Sequence, residues 1–111
     1  MRSGYVYYRD EFAGIITETS DGFKFTYNQA YLKLKSAKPV SLTMPLRELP
    51  YESDTIHPFF DGLIPEGWLL DLAQKNWKFD RRDRMGLLLL LCNDTIGAVS
   101  VKPAITGAFN D

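Results

Sequence analysis

Phe12 to Tyr27, FAGIITETSDGFKFTY, sets a β-branched run and an alternating aromatic run on either side of a two-residue turn, and this order reads as a β-hairpin. Ile15, Ile16 and Thr17 are stiff at χ1 and favour an extended backbone. Asp21-Gly22 is a strong hairpin signal, because such turns need the backbone freedom of glycine. Beyond it Phe23, Phe25 and Tyr27 alternate with Lys24 and Thr26, so a period of two gives one aromatic and one polar strand face. Upstream, Tyr5 to Tyr8 is a short aromatic run closed by the charged turn Arg9-Asp10-Glu11. Together the three runs predict an antiparallel meander.

Downstream, Asn28 to Lys38 has no clean period and is expected to form a short helix or an irregular connection. Ser41 to Met44 alternates and is expected to add a fourth strand. Pro45 and Pro50 then interrupt helix on either side of Arg47, and His57-Pro58-Phe59-Phe60 enters a turn at Asp61-Gly62. Pro65 suits a first helical position and Glu66 meets the helix dipole, opening a helix to about Trp77. Leu69, Leu72, Ala73 and Asn76 share one face of that helix, expected to pack on the sheet, with Trp68 and Trp77 at its margins. Asp80 is the expected N-cap of a second helix running through Met85 to Cys92. Its core, Leu87 to Leu91, is apolar all round and must be covered on more than one side. Gly97 to Val101 reads as a last strand, and Ala104 to Asp111 as a frayed tail. The expected fold is α+β: a single domain over residues 1–111, with a small, mostly antiparallel sheet or partly open barrel of about five short strands and two main helices.

A chain of 111 residues with 45% hydrophobic and 24% charged residues can bury one core without disulfides or metal. Its formal net charge of -1 leaves no basic footprint for nucleic acid. Asp80 and Asp83 interleave with Arg81, Arg82 and Arg84, which makes that cluster a solvated helix start rather than a phosphate clamp. Cys92 is the lone cysteine, so no internal disulfide forms, and beside the leucine run it reads as a buried small hydrophobe. Five leucines in a row are far too few to span a membrane, and the N-terminus lacks the apolar run of a signal peptide, so a cytoplasmic protein is expected. Aromatic residues at 14% exceed what a small core easily hides, which fits a contact surface as well as the aromatic-rich core of a small β domain.

Catalytic machinery is not legible. The glycines form neither a phosphate loop nor a dinucleotide fingerprint, and no kinase catalytic loop can be placed. His57 is the lone histidine and reads as a structural turn residue, while Asp61 and Glu66 read as a turn former and a helix-dipole partner rather than an acid-base pair. The expectation is a protein without enzymatic activity, catalytic residues, cofactor or metal.

Three pieces, Ser41-Leu42-Thr43-Met44-Pro45-Leu46, Phe59-Phe60-Asp61-Gly62-Leu63-Ile64-Pro65-Glu66-Gly67 and Asp94-Thr95-Ile96-Gly97-Ala98-Val99, occur in an order that resembles the N-terminal domain of the HipA family of toxin kinases. In that family a strand ending in SLPL leads to FFDNLLPEG and a helix, and a later helix leads to a D-x-x-GA turn. The likeness runs from about Val6 to Pro103; Gly62 departs from it, standing where the family has asparagine. The resemblance implies a free-standing version of that domain, like the HipS antitoxins of three-gene HipBST toxin-antitoxin systems. Its implied partners are a shortened, HipT-like kinase toxin and a HipB-like DNA-binding protein in a ternary complex, with no direct contact to nucleic acid or membrane. The alternative it leaves open is a subunit or fragment required for the activity of a HipA-like kinase. Trp68 is the expected partner-binding anchor, because it follows Pro-Glu-Gly at the edge of the helix stripe and tryptophan is enriched among binding hot spots. Phe59, Phe60, Asp61, Leu63, Ile64, Pro65 and Glu66 complete the expected contact set.

Overall fold

The computed structural model describes residues 1–75, 79–95 and 97–104. Strands β1 (Ser3–Tyr8), β2 (Glu11–Glu18) and β3 (Phe23–Tyr27) form the expected meander, followed by the single turn of helix α1 (Gln29–Leu32). Strand β4 (Tyr51–Ser53), helices α2 (Pro58–Asp61), α3 (Trp68–Gln74) and α4 (Arg84–Leu91), and strand β5 (Val99–Pro103) complete the order. The sheet is antiparallel and open, with strand order β4-β3-β2-β1-β5. This is the α+β fold that the residue pattern predicts, with the barrel left unclosed.

The fourth strand is not where alternation places it. Ser41 and Met44 bridge each other across a tight turn, with Met44 N donating to Ser41 O, and it is Tyr51–Ser53 that pairs with β3. The Tyr27 hydroxyl donates to Met44 O and accepts from Val40 N, satisfying backbone groups that a strand would have given to a neighbour. The last strand is also shifted two residues onward, with Pro103 opposite Gly4 on the outermost strand, where its missing N–H is tolerated. Ala104 continues it, donating to Ser3 O and buried, so it does not belong to a frayed end; residues 105–111 lie outside the described residues.

Helix α3 is turned by one residue from the expected stripe. Leu72 is buried, but Leu69 and Leu70 are 52% and 64% exposed, and Ala73 is exposed. The inward row is Ile64, Trp68 and Leu72, spaced four apart, because the chain is already anchored in the core at Ile64 before the helix begins. Asn76 and Trp77 lie outside the described residues.

Helix α4 is the centre of the packing. Met85, Leu87, Leu88 and Cys92 are fully buried and only Leu90 faces out. On the sheet side the fit is close: a Cβ at Gly4 would meet Leu89 Cδ2 and Val101 Cγ1 at 2.8 Å, so those side chains would have to shift. On the other side α2 packs on it through Phe60 and the Arg84–Asp61 ion pair at 2.6 Å. Burial pushes the Cys92 thiol up to about 11, so it stays protonated and inert at neutral pH.

The N-cap is Asp83, three residues after the expected Asp80. Asp83 Oδ1 accepts from Gly86 N at 3.1 Å, while Asp80 Oδ1 accepts from Arg82 N within the preceding turn. A Cβ at Gly86 would collide with Asp83 Oδ2 and meet Phe79 Cζ at 2.7 Å. Gly86→Ala is expected to lower stability by at most about 1 kcal/mol, the cost of displacing the cap being partly offset because alanine is the better helix former. Urea unfolding measures this, and a more stable variant would show that the cap has room to move.

Candidate partner-docking face

Pro58 starts α2 at a position where proline costs no hydrogen bond, and the turn that follows sends its two phenylalanines in different directions. Phe60 is fully buried, 5.3 Å from the Phe25 ring, whereas Phe59 stays half-buried at the surface. Asp61 is held by Arg84, and Ile64 belongs to the core. Leu63 remains half-buried, while Pro65 and Glu66 are exposed.

Two adjoining grooves result. One, of about 360 Å³, is lined by Tyr8, Val40, Leu42, Phe59, Leu63 and Val99; the other, of about 270 Å³, by Gly62, Leu63, Pro65, Leu91, Thr95 and Gly97. Leu63 and Gly97 line both, so the two form one apolar trough across the end of β5. A polar hollow of about 540 Å³ continues it through Gly97 and Ala98 to Arg9, Asp10, Asp94 and Lys102.

The eight residues expected to bind a partner therefore divide. Phe59, Leu63 and Pro65 come together in the trough, Glu66 stands free next to Pro65, Asp61 is engaged within the chain, and Phe60 and Ile64 support the face from beneath. Trp68 is half-buried against the core and lines neither groove.

Sequence reasoning missed Leu42, which is 96% exposed at the trough's rim. The available signal was a leucine between two hydroxyl residues, Ser41 and Thr43, with prolines on both flanks. What fixes the loop is less visible. The Tyr31 hydroxyl donates to Lys38 O and accepts from Lys38 N, and the Tyr51 hydroxyl donates to Pro45 O. Arg47 stacks 3.6 Å from the Tyr51 ring centre and donates to Leu49 O and Pro50 O. Burial pushes the Tyr27 phenol up to about 12, so this clamp stays protonated.

His57 packs edge-on to Phe60. Neither of its ring nitrogens has a hydrogen-bond partner in good geometry, and burial holds the imidazole below the usual histidine range, with the Tyr51 backbone pulling weakly the other way. Among the described residues no group of three His, Cys, Asp or Glu is placed to hold a metal, and no helix is long and apolar enough to cross a membrane.

The start of α4 is tied to the sheet by an ion cluster. Arg2 donates to both oxygens of Glu18 and to both oxygens of Asp83, joining β2 to the start of α4, with Arg2 and Asp83 81 positions apart in sequence. The Arg2 hydrogen bonds hold both carboxyls below the usual carboxylate range.

Residues 4–102 match the HipA N-terminal domain family. The chain belongs to that family. It is 36% identical over 102 residues to an uncharacterized protein of Haemophilus influenzae, with 92% of each chain covered. It is 27% identical over 99 residues to the putative kinase Y4mE of Sinorhizobium fredii, spanning 88% of this chain but 24% of that protein. The solved N-terminal domain of HipA toxin superposes with a TM-score of 0.71 at 32% identity, covering 94% of this chain and 93% of that one. The chain thus corresponds to the HipA N-terminal domain, not to a kinase domain.

Because depressed carboxyl pKa values favour the folded state only while those groups are ionised, the Arg2 cluster's contribution is complete above the ordinary carboxylate range and disappears as pH falls through the lowered values. The melting temperature is expected to fall on acidification, and Arg2→Gln to flatten that acid limb. Thermal denaturation followed from pH 7 downward measures both; equal acid limbs would remove the cluster from the stability of the fold.

Proposed function

We propose that this protein is an antitoxin that neutralises a HipA-like serine/threonine kinase by binding it directly in the cytoplasm. The observation that carries this reading is that the same domain recurs as 24% of the putative kinase Y4mE and as the N-terminal domain of HipA toxin. A fold that elsewhere is part of a longer putative kinase is suited to pack on a kinase core as a separate chain. The apolar trough supplies the means, since burying its leucine and aromatic walls releases water and favours association. The partner is a shortened, HipT-like kinase, and a HipB-like DNA-binding protein is the third member of the complex.

Phe59, Leu63 and Pro65 form the contact in the trough, Glu66 lies at its rim, and Trp68 adds a separate contact from α3, outside the two grooves. Phe60, Asp61 and Ile64 act by holding the face in place. The second reading, a subunit required for kinase activity, rests on the same recurrence of the domain in Y4mE; autophosphorylation of the kinase core with and without this chain separates the two.

Trp68→Ala is expected to weaken the kinase complex by at least about 2 kcal/mol, close to thirtyfold in affinity. Leu63→Glu is the companion variant, chosen for its place in both grooves; Trp68 and Leu63 both also touch the core, so folding is checked for each. Titration calorimetry against the kinase core, with circular dichroism to confirm folding, measures both. Unchanged affinity in the two folded variants would remove this face from the interface, and failure of the wild-type chain to relieve kinase toxicity in cells would end the antitoxin reading.

A further inference from the structure

Leu42 has the most exposed large apolar side chain among the described residues, at 96%. Its turn is held from several sides. Ser41 and Met44 bridge across it, Ser41 Oγ accepts from Thr43 N, and the Tyr27 hydroxyl takes up Met44 O and Val40 N. The leucine is therefore presented by a braced support and cannot fold back at low cost. Next to it opens the groove of about 360 Å³, with Phe59, Leu63 and Val99 in its walls and Leu42 at its rim.

A rigid apolar knob adjoining an apolar hole is self-complementary, because a twofold rotation brings each knob over the other copy's hole. Charge fits the same occupant. The polar hollow at the end of the trough carries two cations, Arg9 and Lys102, and two carboxylates, Asp10 and Asp94, so a second copy meets equal numbers of each sign. A strongly acidic or strongly basic partner would meet like charge there. The whole chain carries a formal charge of only -1, so little net repulsion separates two copies.

We infer that this face binds a second copy of the chain, with Leu42 of each seated in the groove between Phe59 and Leu63 of the other. With two leucine side chains at its centre the contact is small beside the roughly 800 Å² per partner of a standard interface, so the dimer is weak and forms at high protein concentration. The inference stands without the kinase reading. Where that reading also holds, Phe59 and Leu63 belong to both contacts, and self-association competes with kinase binding.

Sedimentation velocity of the full chain from about 10 µM to about 1 mM tests it, the range in which weak dimers dissociate. The expected result is an average mass rising from 12.7 kDa toward twice that value. Leu42→Asp is expected to raise the dissociation constant at least about tenfold, with an unchanged melting temperature because the leucine touches little of its own core. Wild-type protein that stays monomeric throughout overturns the inference, as does a variant that dimerises equally well. A variant with a clearly lowered melting temperature also overturns it, since Leu42 would then be covered by its own chain. So does one that loses only kinase affinity, which would make the knob a kinase contact.

Discussion

A helix without a polar face is the constraint on which this fold depends. Helix α4 presents apolar side chains in every direction, so it is stable only between two layers, and the chain supplies them from the sheet and from the segment that precedes the helix. The sheet covers one side, closely enough that β1 carries glycine at position 4, and the α2–α3 segment covers the other. Burying Leu87 and Leu88 contributes about 1.5–3 kcal/mol each. The Arg2–Asp83 pair, with both side chains about a third exposed, contributes less than about 1 kcal/mol. Packing therefore supplies the stability, while the ion cluster and the Asp83 cap determine where along the sheet the helix begins. That placement in turn sets the trough, because Leu91 and the residues leading into β5 form one of its walls.

How much of this was legible follows from how local each signal is. The Asp21-Gly22 hairpin is decided by residues that touch one another in sequence, and the meander around it formed as read. The need to cover Leu87 to Leu91 was equally plain, since no arrangement of neighbours gives that run a polar side. The fourth strand failed as a reading because Ser41 to Met44 alternates correctly but has its backbone groups taken by the hydroxyl of Tyr27, a partner no local pattern reveals. Tyr51 to Ser53, with three residues, is too short to show a period at all. The cap of α4 failed for a related reason. Asp80 and Asp83 are equivalent by residue type, and only the distant Arg2 and the space left at Gly86 distinguish them.

The orientation of the candidate face was only partly legible, on the same grounds. Two adjacent phenylalanines cannot both face inward from a single helical turn, yet which one does depends on where Phe25 stands in the sheet. Phe60 is taken by that ring, which leaves Phe59 at the surface. Asp61 looks available in sequence and is engaged by Arg84, 23 positions away. Leu42 was read within a strand and instead stands exposed on a tight turn. In each case residue type was informative and orientation was not, because orientation was settled by contacts distant in sequence.

The tyrosine clamps bear on function as well as on folding. A proline-rich loop with no ladder of its own has its backbone groups taken up by three phenolic hydroxyls and one arginine, which removes the freedom an apolar loop would otherwise have to collapse onto its own domain. Association then requires little further ordering, and ordering is among the larger costs of binding. Exposed leucine on a braced turn is unfavourable for an isolated chain and useful to one that binds through it. Stability alone would favour a polar residue in place of Leu42, since nothing beneath it would be lost, so the braced loop holds an apolar side chain in water that the fold itself does not use.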